Sequence, residues 1–294
     1  MATNSCAIDS FYNGNKVPVI GYGTASNTTN VVDPVLTALS AGFTHLDTAE
    51  IYGTEESVGI AVHKYLSEPS TPARDSIFIA TKFYKALEPG QTVKERLQES
   101  LKKLDLDYVD LYLIHTPVSH PGKLKGIWKQ MEGVQKEGLA KNIGVSNFRI
   151  KDYEDFIADA EILPVCNQIE FNPHLLNATE PLLAFQEKYG IRTASYGGLN
   201  PLTKHKTEHM DAALRIVRER YSKDLGVDIS DEQILIKWTF AKGVLPVTMS
   251  SKKERLFSMI KSVELPDLER SDVDIIDEAG RKEHRRAYQL HMDD

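Results

Sequence analysis

Along this chain, short runs of consecutive apolar residues alternate with longer stretches whose apolar positions recur every three or four residues. The unbroken runs read as buried parallel strands, and the longer period reads as helices packed by one face. Strands are expected over 19–24, 44–48, 76–82, 108–115, 140–146, 165–171, 191–196 and 244–248. Helices are expected over 31–41, 56–66, 92–104, 124–136, 150–160, 181–189 and 252–263, with two helical stretches, 209–221 and 231–242, in the seventh connection. Gly42, Gly138 and Gly190 stand where helices should stop. Asn13-Gly14-Asn15, at the centre of 11–18, predicts a β-hairpin before the first strand. An acidic helix over 271–279 extends past the last unit. Arg281, Lys282, Arg285 and Arg286 follow it and read as a solvated helix end, with a direct role in binding as the alternative.

Eight strand-then-helix units predict an α/β fold, a (β/α)8 TIM barrel forming a single domain over 1–294 with an N-terminal β-hairpin and a C-terminal helical extension. In such a barrel the C-terminal ends of the strands face one mouth, so residues distant in sequence converge there. Asp47, Lys82, His115, Ser146, Asn147, Gln168 and Tyr196 all fall at or near predicted strand ends.

Composition narrows the function. A 41% apolar and 26% charged chain is an ordinary soluble globular protein, and a net charge of −7 argues against a nucleic-acid surface. No run approaches membrane-spanning length, and 1–10 lacks the basic and apolar regions of a signal peptide. The two cysteines, Cys6 and Cys166, have no metal-ligand spacing, make no disulfide framework and read as non-catalytic. A reducing, cytoplasmic setting is expected, as is a monomer or homodimer.

Asp47, Tyr52, Lys82 and His115 are the candidate catalytic residues. Taken singly, they read as a helix cap, a packed ring, a solvated strand end and a structural histidine. Together on three neighbouring strand-end loops they suit one reaction. A phenol holds its proton at neutral pH, and a nearby ammonium lowers its pKa and makes it a better donor. Lys82 would supply that charge, Asp47 would hold Lys82, and His115 would hydrogen-bond a carbonyl oxygen. The set fits protonation of an alkoxide forming under hydride attack. It does not fit acyl transfer or metal-assisted hydrolysis, which need a nucleophile motif or ligand spacing.

Six stretches in order, GYGT at 21–24, HLDTAEIYG at 45–53, TK at 81–82, DYVDLYLIH at 107–115, GVSNF at 144–148 and NQIEFNP at 167–173, resemble those of the aldo-keto reductases over nearly the whole chain. The stretch at 244–256 is similar to that of fungal NADPH-dependent α-ketoamide and conjugated polyketone (ketopantoyl-lactone) reductases. The resemblance implies that Tyr52 is the general acid, that Lys82 tunes it with support from Asp47, and that His115 orients a small-molecule carbonyl substrate. It also implies that Ser146, Asn147 and Gln168 hold the nicotinamide carboxamide of NADPH and that Tyr196 stacks on its ring. Thr24, Asp47, Gly198 and Leu199 complete the expected cofactor contacts.

No G-x-G-x-x-G follows a strand, so a phosphate site is expected after the eighth strand, on the next helix N-terminus. Ser250, Ser251, Lys252 and Arg255 stand there and favour NADPH over NADH. The chain departs from the family pattern in three places, of which the first, Met249, weakens that preference. Met249 stands where many members carry Lys, Ser258-Met259 replaces an acidic-amide pair, and Gly197-Gly198 loosens the pyrophosphate loop. Ile51, Tyr84 and Trp128 are the expected substrate-lining residues. The chain ends soon after Tyr288, which suggests a short C-terminal lid and an open pocket. A sugar or aldehyde reductase, or a non-catalytic nicotinamide-binding regulator, remains open as an alternative.

Overall fold

The computed structural model describes residues 7–68 and 73–294. Cys6 lies outside the described residues. The antiparallel strands β1 (Ile8–Ser10) and β2 (Lys16–Pro18) form the expected hairpin, with Ile8 opposite Pro18. Eight parallel strands then close into a barrel: β3 (Gly21–Gly23), β4 (His45–Asp47), β5 (Phe78–Phe83), β6 (Leu111–Ile114), β7 (Ile143–Ser146), β8 (Cys166–Glu170), β9 (Arg192–Tyr196) and β10 (Leu245–Thr248), with β10 pairing β3. Their residues are buried almost throughout, because helices cover the outside and side chains fill the inside.

The surrounding helices are α1 (Val32–Ala41), α2 (Glu55–Leu66), α3 (Val93–Leu104), α4 (Leu124–Lys136), α5 (Ile150–Glu154), α6 (Leu176–Lys188), α7 (Asn200–Thr203), α8 (Glu208–Leu225), α9 (Asp231–Ala241), α10 (Lys253–Lys261) and α11 (Arg270–Gly280). Capping boxes at Thr92 and Ser230 start α3 and α9 where polar side chains meet free backbone N–H groups. Three elements differ from the sequence reading. α6 begins at Leu176 and carries Pro181 inside it, since Leu176, Thr179 and Leu182 bury one continuous face. α5 stops at Glu154 and gives way to a 3-10 turn at Ile157–Asp159. The short α7 has no apolar period and was not expected.

The hairpin closes the bottom of the barrel. Phe11 and Val17 join the inner apolar cluster with Phe78, Leu111, Leu113 and Leu245. Asn13 and Asn15 both donate to the Asn142 side-chain oxygen, at 3.0 and 2.8 Å. The upper end is left for chemistry.

Candidate active site

The upper mouth is built from strand ends. Asp47 ends β4, Lys82 sits one residue from the end of β5, and His115 follows β6 directly. Tyr52 closes a 3-10 turn at Glu50–Tyr52, which brings its ring back over the mouth. Lys82 is fully buried; its Nζ donates to Asp47 Oδ1 at 2.5 Å and to the Thr48 carbonyl at 2.9 Å. The same ammonium lies 5.3 Å from the Tyr52 ring centroid. His115 meets Tyr52 edge-on at 5.6 Å and Tyr84 edge-on at 5.5 Å. The four predicted catalytic residues therefore share one mouth.

Their electrostatics follow from burial and neighbours. Burial opposes the Lys82 charge, but Asp47 and Tyr52 outweigh it and lift its pKa above the ordinary value. Burial pushes the Tyr52 phenol up and Asp47 adds to the rise, while Lys82 pulls it down; the net direction is up. This corrects the expectation of a lowered phenol. Desolvation exceeds the ammonium's pull although Tyr52 is only partly buried, because its neighbours in the mouth replace most of the water around the phenol. Burial, and then Lys82, drive His115 down to about 3, so its imidazole is neutral at physiological pH.

The next strands carry the amide groups. Ser146 Oγ donates to the Gln168 carbonyl at 2.7 Å, and Gln168 Nε2 donates to Asp47 Oδ2 at 2.9 Å. Asn147 Nδ2 donates to the His115 carbonyl at 2.9 Å, and its side-chain oxygen accepts from Tyr196 OH at 2.7 Å. Asn147 adopts a left-handed φ of 60°, which turns the chain sharply at the mouth. Thr24 is buried beneath, donating to the Asp47 carbonyl at 3.1 Å and paired with Thr54 at 3.0 Å. It buttresses Asp47 rather than facing the mouth with a free hydroxyl.

After β9, Gly197 has φ 68°, and a Cβ there would meet Asn200 Nδ2 at 2.8 Å. The loop thus turns at Gly197, where the positive φ disfavours a side chain, whereas a Cβ at Gly198 would meet nothing closer than 3.8 Å. After β10, Ser251, Lys252 and Arg255 are exposed and Ser250 partly so. No side chain caps α10, which leaves its first-turn N–H groups open. Two hydroxyls, free helical N–H groups and two cations suit a phosphate, so the donor set fits the phosphorylated end of NADPH. Arg255 is also 3.4 Å from Glu232 of α9. Met249 is exposed beside this site, whereas Met259 is buried and accepts a contact from Thr248 at 3.4 Å.

Two expectations fail on geometry. Trp128 does not reach the mouth: it is buried on the inward face of α4, packs on Phe156 at 4.9 Å and donates to the Ile162 carbonyl at 2.9 Å. A helical apolar period made it available to the core, and the core took it. The C-terminal basic run is not simply solvated. The Arg286 side chain is only 2% exposed and pairs with Asp293, although Arg281 and Arg285 do form surface pairs with Glu180 and Glu283.

The last residues also cover more of the mouth than a short open lid would. Glu170, wholly buried at the end of β8, accepts the backbone N–H groups of Ala287 at 3.0 Å and Tyr288 at 2.8 Å. The Tyr288 ring then meets Tyr196 at 5.9 Å, and His291 bonds the Asn147 carbonyl at 3.0 Å. Sequence reasoning missed Glu170 and Glu50 as site supports. Glu170 lies inside the NQIEFNP stretch at 167–173, and Glu50 lies within HLDTAEIYG at 45–53. Cys166 is buried and its thiol is pushed up to about 12, as befits an inert core residue.

Comparison with known proteins agrees with this arrangement. The model of the aldo/keto reductase family matches residues 19–281. An NAD/NADP-dependent indole-3-acetaldehyde reductase of Schizosaccharomyces pombe is 38% identical, covering 96% of this chain and 98% of its own. An NADPH-dependent alpha-keto amide reductase of Saccharomyces cerevisiae is 37% identical over 91% of this chain and 89% of its own. Among solved structures, a Bombyx mori aldo-keto reductase in complex with NADP superposes with a TM-score of 0.79 at 29% identity, over 94% of this chain and 93% of that one. Among the described residues no helix is long and apolar enough to cross a membrane. With a closed barrel, a common mouth and a family match over most of its length, the chain belongs to the aldo/keto reductase family and is an oxidoreductase acting on carbonyl compounds.

Proposed function

We propose that the protein is an NADPH-dependent carbonyl reductase in which Tyr52 is the general acid. The observation that carries this reading is the buried Lys82 ammonium, bonded to Asp47 at 2.5 Å and set beside the Tyr52 ring. NADPH, when bound, supplies the hydride. Tyr52 donates its phenolic proton to the carbonyl oxygen. A pKa held above its ordinary value keeps the phenol protonated throughout the neutral range. Lys82 stabilises the phenolate left behind, and Asp47 keeps Lys82 charged and in place. The neutral His115 ring offers one N–H to the carbonyl oxygen and orients it. Ser146, Asn147 and Gln168 hold the carboxamide, Tyr196 meets the ring, and Ser250, Ser251, Lys252 and Arg255 hold the far phosphate.

Exposed apolar side chains in the turns that follow β4 and β6 and in the C-terminal residues, Ile51, Val118, Tyr288 and Leu290, support a ketone, aldehyde, α-dicarbonyl or ketolactone bearing an apolar substituent. Two similar proteins, named for an α-keto amide and an indole acetaldehyde, are consistent with that class. The test is loss of reduced-nicotinamide absorbance with a panel of such carbonyls and of sugars, using NADPH and NADH. Turnover on apolar carbonyls is expected, and preference for sugars would overturn the substrate class. Tyr52→Phe should lower kcat by about 10²-fold or more while NADPH affinity stays nearly intact. Unchanged turnover in that variant would remove Tyr52 from its role, and tight NADPH binding without any turnover would mark a binding protein.

A further inference from the structure

We propose that Glu50 is a positioning residue for carbonyl reduction, holding the loop that carries Tyr84 against the turn that carries Tyr52. The inference rests on the reading of Tyr52 and His115 given above. Glu50 opens the 3-10 turn at Glu50–Tyr52, and its side chain is nearly buried, with 7% exposed. One carboxylate oxygen accepts two consecutive backbone N–H groups, from Tyr84 at 2.7 Å and from Lys85 at 2.8 Å. These residues follow β5 directly, two and three positions after Lys82. The second oxygen faces Arg96 of α3, at 3.6 Å. Arg96 is itself held by Gln91, at 2.9 Å.

One charged group therefore joins three elements: the Tyr52 turn, the end of the Lys82 strand and the helix after it. Hydrogen bonds to a charged acceptor are the strong ones, and a carboxylate has lone pairs enough for two N–H groups on one oxygen. The consequence falls on His115. Its ring is met edge-on by both Tyr52 and Tyr84, at 5.6 and 5.5 Å. The two tyrosines come from the two segments that Glu50 ties together. Without the tie, the Tyr84 segment keeps its chain connection but loses its register against Tyr52. The space in which a carbonyl meets both Tyr52 and His115 then widens. Misplacement of about 1 Å at a reacting centre costs up to about 10²-fold in rate.

The experiment compares Glu50→Gln, Glu50→Met and Tyr52→Phe with the parent enzyme in kcat, KM for the carbonyl and dissociation constant for NADPH, well below each variant's melting temperature. Glutamine keeps an oxygen that both N–H groups can use, whereas methionine keeps the volume and offers no comparable acceptor. Glu50→Met should lose about 10- to 100-fold in kcat/KM while NADPH binds as before, and Glu50→Gln should recover to within about threefold of the parent. Two results would overturn the proposal: Glu50→Met within twofold of the parent, or Glu50→Gln damaged as badly as Glu50→Met. If Glu50→Met is recovered unfolded, Glu50→Ala takes its place and is read in the same way, with kcat/KM within twofold of the parent again overturning the proposal. Tyr52→Phe separates the two readings. An inactive Tyr52→Phe beside an unaffected Glu50→Met defeats only the positioning role, whereas an active Tyr52→Phe defeats the acid on which it rests.

Discussion

Lys82 Nζ lies 2.5 Å from Asp47 Oδ1, and both side chains are closed off from solvent. A buried ammonium persists only because a carboxylate faces it. Asp47→Asn should therefore act on both stability and chemistry. Leaving a buried charge unpaired costs about 3–5 kcal/mol. The Lys82 pKa, now raised with Asp47 as the leading contributor to the rise, should fall. Activity that needs a charged Lys82 would then fade at lower pH than in the parent. The check is the pH profile of kcat/KM: its alkaline limb should move down, and an unmoved limb would show that Asp47 does not hold the lysine charged.

Arg255 and Glu232 predict how the two nicotinamides are told apart. Arg255→Ala should weaken NADPH far more than NADH, because only NADPH carries the extra phosphate. Glu232→Gln removes a competitor 3.4 Å from the guanidinium. An exposed pair of this kind is worth up to about 1 kcal/mol, so NADPH binding should tighten by about two- to fivefold with NADH unchanged. Fluorescence titration with each cofactor reads both effects, and equal changes for the two would exclude a phosphate role.

Glu170 predicts how firmly the C-terminal residues lie over the mouth. Its buried carboxylate accepts from Asn200 at 2.7 Å as well as from Ala287 and Tyr288. Glu170→Ala should raise amide exchange at Ala287 and Tyr288 by about tenfold or more and raise KM for the carbonyl, since each lost charge-assisted bond is worth about 1.5–3 kcal/mol. Exchange at the parent rate would mean that other contacts hold the tail.

Buried histidines predict acid sensitivity. Burial lowers His45 to about 4, His115 to about 3 and His120 to about 4, from an ordinary 6.5. Between those values the unfolded chain binds a proton that the folded chain refuses. Stability thus falls as pH drops below about 6.5, by ~1.4 kcal/mol per residue per pH unit, and levels off only near the folded values. Melting temperature should decline from pH 7 to pH 4. In His120→Asn the decline should be shallower, because one of the three rings no longer takes part. Parallel curves would show that His120 does not stay neutral in the fold.

The alternation of apolar run and helical period is local, so the chain itself dictated eight strands, their order and the strand-end placement of Asp47, Lys82, His115, Ser146, Asn147 and Gln168. Once the strands close, topology carries these residues to one mouth. What no local pattern contained was which partners lie across the barrel. Gln168 reaches Asp47 over 121 positions of sequence, and Ala287 reaches Glu170 over 117. Trp128 was indistinguishable from a pocket residue until the helix turned its face inward. Arg286 looked solvated until the tail folded over it. The Tyr52 phenol illustrates the physical reason. Its residue type and the neighbouring charge were readable, but its net direction depends on how much water the closed barrel removes. Desolvation is a property of the assembled volume, and only the tertiary structure could decide it.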